Sequence, residues 1–267
     1  MSRPSFDERM HDLDLVRSAI RVAGERAMVT FRSDHTPWHK APGQVVTEAD
    51  IAIDRLLYDR LIGARPDYGW LSEETADTPE RLDRARVWVV DPIDGTRAFV
   101  EGRPEFAVSV ALVEDGLAVL GMIFNPATEE LFEAVRGGGA FLNGERLHTG
   151  NHGSVEGAQI VFSRGEIAKK PWGSWLPGAE LQTIGSLAYK LALVAAGRFD
   201  ALASLRQAQE WDIAAGHIIL EESGAFLSQA SGRLIIYNHA KPIQRGLVAA
   251  NLRLHDHVVR ALGARDR

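Results

Sequence analysis

Apolar positions recur at helical spacing from Phe6 to about Met28, where Leu15, Ala19, Ile20, Ala23 and Ala27 fall on one face. The pattern predicts one amphipathic helix. A polar stretch containing Pro37, Pro42 and Gly43 then reads as a loop. Helical period returns in "VTEADIAIDRLLYDRLIGARPDYGW", with Ile53, Leu56, Leu57 and Leu61 as the buried stripe. Thr47, with Asp50 three residues on, resembles a capping box and sets the start of this second helix. "YGWLSEE" reads as a short strand that ends in two glutamates. The run from Val87 to Val90 is apolar throughout, as in a buried strand, and leads straight into "DPIDGTRAF".

After residue 105 short β-rich runs are broken by "EDG", "NPAT" and "GGG", which predicts an antiparallel meander. The second half alternates: strands near 158–163 and 180–184, a helix at 186–196, a strand at 200–205, a helix at 212–223, strands at 234–237 and 246–250, and a helix at 254–262. Such alternation indicates α/β layers. Trp172 to Pro177 reads as a loop near a substrate mouth. No internal repeat, low-complexity segment or linker interrupts the chain.

The 267 residues allow one large domain or two intimate ones. Hydrophobic content of 45% and charged content of 25% are those of an ordinary globular protein. No apolar run is long enough for a membrane span, and "MSRPSFDERMHDLDLV" is too charged for a signal-peptide core. The absence of cysteine excludes disulfides, thiolate chemistry and cysteine zinc sites, and leads us to expect a cytoplasmic protein. A net charge of −6 argues against a nucleic-acid partner, which needs a basic face. It leaves room for a small phosphorylated substrate if bound cations reverse the local charge.

The candidate chemistry lies in Glu73, Asp91, Asp94 and Asp212, each at the end of an apolar run. Gathered together, these carboxylates would repel and raise one another's pKa values, and bound cations would remove that penalty. Oxygen donors without cysteine point to Mg²⁺ or Mn²⁺ rather than zinc. Pro92 stiffens the turn between Asp91 and Asp94, and the Ile93 carbonyl between them can also face a metal. Gly95 lets the backbone approach a phosphate, with its own N–H and that of Thr96 as donors. The Thr96 hydroxyl can orient a water. Alone, "DG" is an ordinary turn, "EE" a solvated strand end and Asp212 a helix N-cap. Their conjunction is what points to a metal-dependent phosphatase.

"WVVDPIDGT" resembles the first signature of the inositol monophosphatase superfamily, and "WDIAAGHIILEESGA", residues 211–225, resembles the second. "GWLSEE" is similar to its upstream glutamate segment and "VTEAD" to its early Thr and Asp. The motifs keep family order over about Val46 to Asn251. The resemblance implies an αβαβα sugar-phosphatase-like fold across residues 1–267, with an antiparallel-sheet, metal-site half to about residue 150 and a mixed-sheet α/β half at 151–267. It implies a Mg²⁺-dependent, Li⁺-sensitive phosphomonoesterase with two or three ions, and a homodimer. One metal would be held by Glu73, Asp91 and the Ile93 carbonyl, a second by Asp91, Asp94 and Asp212, and a third near Glu73. Thr96, supported by Asp50 and Thr47, would help Glu73 activate water, with the phosphate on the Gly95 and Thr96 N–H groups and no phosphoenzyme.

Two departures bear on substrate. The family's "GTxNFxH" is "GTRAFVEG" here, with Arg97 and Glu101. The glutamate that many relatives carry seven residues before the second-motif Asp is Leu205. An apolar side chain cannot accept from a sugar hydroxyl. "VFSRGE", residues 161–166, and Lys190 are similar to 3'(2'),5'-bisphosphate nucleotidases of the CysQ type. That likeness implies 3'-phosphoadenosine 5'-phosphate as substrate, with Arg164, Lys190 and Arg206 as candidate contacts to a second phosphate. Inositol 1-phosphate is the next expectation, then histidinol phosphate. A haloacid-dehalogenase-type phosphatase would space its aspartates two apart, not three. A non-catalytic regulator of RNA machinery fits the intact acidic set and the negative charge poorly. "HDH" at 255–257 reads as solvated, and Trp70 and Trp211 read as packing beneath the site.

Overall fold

The computed structural model describes residues 6–31, 38–41 and 44–263. Helix α1 (Phe6–Phe31) is followed by a small hairpin, β1 (Trp38–Ala41) and β2 (Gln44–Val46), and by α2 (Glu48–Ala64). Next come β3 (Gly69–Ser72), a 3-10 turn (Pro79–Asp83), β4 (Arg86–Asp94) and the short α3 (Thr96–Val100). The meander is β5 (Ala107–Glu114), β6 (Leu117–Asn125), β7 (Glu130–Val135), β8 (Gly139–Leu142) and β9 (Glu145–Arg146). The remainder is β10 (Gln159–Phe162), α4 (Arg164–Ile167), α5 (Trp172–Trp175), β11 (Glu180–Thr183), α6 (Leu187–Ala195), β12 (Ala201–Gln209), α7 (Glu210–Ser223), β13 (Ala225–Ser228), β14 (Ile243–Asn251) and α8 (Leu252–Gly263).

Two mixed sheets result. The first runs β3-β4-β5-β6-β7-β8-β9, antiparallel except for the parallel edge pair β3–β4. That edge departs from the purely antiparallel half expected, because the 3-10 turn carries the chain back before β4. The second sheet runs β11-β10-β12-β14-β13, with β10 parallel to β11 and β12, and β14 antiparallel to both its neighbours.

Three apolar cores separate five layers. Val16 and Ile20 of α1 and Ile53 and Leu57 of α2 pack on one face of the first sheet, against Trp88, Val90 and Leu112. The other face, with Val87, Val89 and Ile123, meets α6 and α7, which in turn cover Leu202, Leu247 and Ala249 of the second sheet. The far face of that sheet, with Ile160, Phe162 and Val248, is closed by Trp172 and by Leu254 and Val258 of α8. The layering is therefore α–β–α–β–α. β4 is buried on both faces along Val87–Val90, so that stretch is apolar throughout instead of alternating.

Several sequence expectations need correction. The stretch 234–237 is not a strand: it runs beside the β5–β6 turn, bonded through Tyr237 N–H to the Gly116 carbonyl, with Leu234 and Ile236 exposed. The ladder position beside β14 is taken by β13, which the sequence pattern did not reveal. Trp172 to Pro177 is no substrate mouth. Trp172 is buried and stacks 4.5 Å from Phe162, centroid to centroid. The polar stretch after α1 contains the β1–β2 hairpin, while Pro37, Pro42 and Gly43 lie outside the described residues. In "HDH", His255 is buried and bonds Ser228 Oγ at 2.8 Å. Among the described residues no helix is long and apolar enough to cross a membrane.

The middle layer sits unusually close to the first sheet at Gly121 of β6. A Cβ there would lie 2.4 Å from the Ala215 carbonyl of α7 and 2.5 Å from Ile218. Gly121→Ala should therefore push α7 outward and cost about 2–3 kcal/mol, read as a lowered urea midpoint.

Candidate active site

β4 ends in a register shift. Asp91 pairs with Ser109 but Asp94 pairs with Ala107, so three steps on β4 match two on β5. Side chains alternate along a regular strand, so positions three apart would face opposite sides. The extra residue of the bulge returns Asp94 to the side of Asp91. Pro92 is tolerated at this point because the bulge asks for no ladder donor there. The turn is closed by the Ile93 N–H, which donates to Asp91 Oδ1 at 3.0 Å. Gly95 follows at φ +94 and opens α3, which Ala98 and Phe99 anchor in the core.

Two other elements converge on this point. Asp212 lies in the first turn of α7, where its carboxylate accepts from the Gln209 N–H at 3.1 Å. Gln209 holds the N-cap position expected for Asp212, because the helix starts at Glu210. Asp91, Asp94 and Asp212 each offer an oxygen within 4.8 Å of one another. Glu73, exposed beyond the end of β3, borders the same cavity as Asp94 and Asp212. Its segment is tied to α2 by Ser72 and Thr75, whose hydroxyls donate to the two oxygens of Asp54. Asp50 accepts from the Thr47 N–H at 2.8 Å and the Thr47 hydroxyl at 2.6 Å, the expected capping box. The Thr96 hydroxyl lies 3.0 Å from the Ile93 carbonyl and 3.3 Å from Asp50 Oδ1.

Burial raises the pKa of Asp91 well above the carboxylate range, and the charges of Glu73, Asp94 and Asp212 add to it. Asp212 is raised for the same reasons, burial first and then Asp94 and Glu73. Asp50, buried in its capping box, is pushed up to about 6 against the bonds from Thr47. The donor set is all oxygen, negatively charged and short of counter-charge. It fits a hard divalent cation.

Asp94 is held differently. Burial raises it too, but its Oδ2 accepts from Ser186 Oγ at 2.6 Å and from the Ala188 N–H at the start of α6. Ser186 also caps α6, accepting from the Tyr189 N–H at 3.0 Å, and keeps a φ of +48 to do both. With one oxygen so engaged, Asp94 is oriented with the other free. Sequence reading missed Ser186, although a Ser directly before an apolar helical run is an N-cap signal.

The carboxylates open into a cavity of about 390 Å³. Its lining also includes Arg97, Arg103, Arg164, Lys190 and Arg206. Lys190, buried, donates to Ser163 Oγ at 2.8 Å, and burial lowers its pKa to about 8. Arg164 is engaged: Glu105 Oε1 and Oε2 accept from it at 2.6 and 2.9 Å, and Glu105 also takes Arg103 and the Gly185 N–H. Nothing in the sequence singled out Glu105. Leu205 does not border the cavity. It packs toward the outer core, and its neighbours Ser204, Arg206 and Gln207 line the wall.

The inositol monophosphatase family model matches residues 11–266. The chain belongs to the inositol monophosphatase family. Members of this family are phosphomonoester hydrolases. An inositol-1-monophosphatase of Rhizobium meliloti (strain 1021) is 37% identical over 231 residues, 84% of this chain and 83% of the relative. A fructose-1,6-bisphosphatase/inositol-1-monophosphatase of Thermotoga maritima is 34% identical over 95% of this chain and 96% of its own. The crystal structure of extragenic suppressor protein suhB from Bartonella henselae superposes with a TM-score of 0.83 at 30% identity, over 94% of this chain and 98% of that one. The relatives' names are those of inositol phosphatases and a suppressor protein, not of CysQ-type nucleotidases.

Two outcomes follow. Ser186→Ala should leave the fold intact but raise the Mg²⁺ concentration for half-maximal turnover about tenfold, read from a metal titration. In the metal-free protein Asp91 and Asp212 keep protons above the range in which the unfolded chain releases them, and Asp50 does so up to about 6, so stability should fall as pH rises through that range. Melting temperatures of EDTA-treated protein across that range should show the decline, and added Mg²⁺ should reverse it with release of protons.

Proposed function

We propose that the chain is a Mg²⁺-dependent phosphomonoesterase of a small phosphorylated metabolite. The observation that carries this is the triplet Asp91, Asp94 and Asp212, brought within 4.8 Å beside Gly95 and Thr96. Glu73, Asp91 and the Ile93 carbonyl would hold one Mg²⁺, and Asp91, Asp94 and Asp212 a second, with Mn²⁺ able to replace either. Bound, the cations supply Lewis acidity and offset the charge that builds on the phosphoryl oxygens. The Gly95 and Thr96 N–H groups, which open α3 and have no partner within it, receive phosphoryl oxygens. Thr96, its hydroxyl steadied by Asp50 and Ile93, orients the attacking water, and Glu73 takes the proton.

Two finer readings each have support. The relatives' names favour inositol 1-phosphate. The cations Lys190 and Arg206 in the cavity lining favour a more anionic substrate such as 3'-phosphoadenosine 5'-phosphate. The same cations disfavour histidinol phosphate, whose amine is itself charged.

Phosphate release should require Mg²⁺ and stop with EDTA. Asp94→Asn should lower kcat at least about a thousandfold while the melting temperature changes little, and near-normal turnover would remove the metal assignment. Inositol 1-phosphate, 3'-phosphoadenosine 5'-phosphate and histidinol phosphate, assayed side by side, rank the readings.

A further inference from the structure

The second sheet carries its own bulge at the cavity. Ser204 of β12 pairs with Leu247, but Gln207 pairs with Arg245, so β12 again holds one residue more than its partner. The N–H groups freed there are satisfied by side chains. Leu205 N–H donates to Glu166 Oε1 at 2.6 Å, and Arg206 N–H donates to Ser204 Oγ at 3.1 Å. Ser204 Oγ in turn donates to Glu166 Oε2 at 2.8 Å, and Glu166 is buried. Across the ladder Gly246 has φ +57, and a Cβ on it would lie 2.7 Å from Ala230. The bulge is thus held on both strands. It turns Leu205 toward the outer core and sets Arg206 and Gln207 on the wall of the cavity that Asp94 and Asp212 also line.

Arg206 differs from Arg103 and Arg164 in charge balance. Arg103 and Arg164 share Glu105. Among the described residues Arg206 has no carboxylate partner, although an arginine on a protein wall readily finds one. It stands near Lys190, whose ammonium it opposes. The carboxylates that face this pair are committed elsewhere: Glu166 to the bulge, Asp94 to Ser186 and Ala188, Asp212 to the Gln209 N–H. An anionic group in the cavity would complete the set.

We propose that Arg206 is a specificity residue that reads a second anionic group, a phosphate or a carboxylate, carried by the substrate away from the scissile ester. Gln207 beside it offers an amide to the same group. The inference rests on the phosphatase reading above. Of the three cations named from sequence, Arg164 is neutralised by Glu105, which leaves Arg206 with Lys190 near it.

The test compares substrates that differ only in the second group: 3'-phosphoadenosine 5'-phosphate against 3'-AMP, and 3-phosphoglycerate against glycerol 3-phosphate. With Mg²⁺, the wild-type protein should prefer the doubly anionic member of at least one pair by about tenfold or more in kcat/KM, chiefly through KM. Which pair responds separates phosphate from carboxylate. Arg206→Gln should remove most of that preference, and Arg206→Lys, which keeps the charge, should restore part of it. Equal preference in wild type and Arg206→Gln would overturn the inference while leaving the phosphatase reading in place. If Arg206→Gln fails to fold, the neutral Arg206→Ala takes its place: loss of the preference there supports the inference, and a preference kept there, or none in wild type, overturns it. Absence of Mg²⁺-dependent phosphate release from every substrate would instead defeat the phosphatase reading, and the inference with it.

Discussion

Mutual repulsion among buried carboxylates is the constraint around which this molecule is arranged. Asp91, Asp94 and Asp212 come from two different elements and meet at the inner end of the cavity, Asp91 and Asp94 buried and Asp212 half-buried. Nothing in their own chemistry favours the meeting, as their raised pKa values record. The packing of α7 on the first sheet forces it. The near contact of Gly121 with Ala215 and the interlock of Gly216 with Leu191 leave α7 no other depth at which to sit. Hydrophobic burial therefore supplies the free energy that holds the charges together, and their unmet demand for a cation is what makes the place chemically useful.

The supporting side chains divide that work. Thr47 and Asp54 fix carboxylates or strand ends from α2, while Ser186 fixes Asp94 from α6. Thr47 and Ser186 are short polar side chains at a helix start. There, unsatisfied N–H groups and fixed geometry make such residues effective anchors. Ser186 shows the strain this involves: a non-glycine residue kept in the left-handed region because two hydrogen bonds hold it there.

Much of this could be read in the sequence, for identifiable reasons. The buried run Val87 to Val90, the Asp-Pro-Ile-Asp-Gly turn and the Thr47–Asp50 cap are local patterns, and they took the structures their spacing implies. What could not be read depends on register and on long-range pairing. Glu105 meets Arg164 from 59 residues away, with no local sign of it. Leu205 sits in a bulge whose register the sequence does not show, and it packs away from the cavity. "LIIY" at 234–237 has strong strand propensity but no free ladder to join, since β13 had already taken the edge of β14.

The two bulges have a consequence for how such a molecule can change. In a regular strand, gaining or losing one residue reverses every side chain beyond it and is ruinous. At a bulge a one-residue slip is absorbed locally. The β4 bulge and the β12 bulge lie in separate sheets, on opposite sides of the α6–α7 layer. Descent with small insertions and deletions can therefore rewrite the wall that meets the substrate while Asp91 and Asp94 stay in place. Recognition and chemistry are, in this architecture, separately heritable.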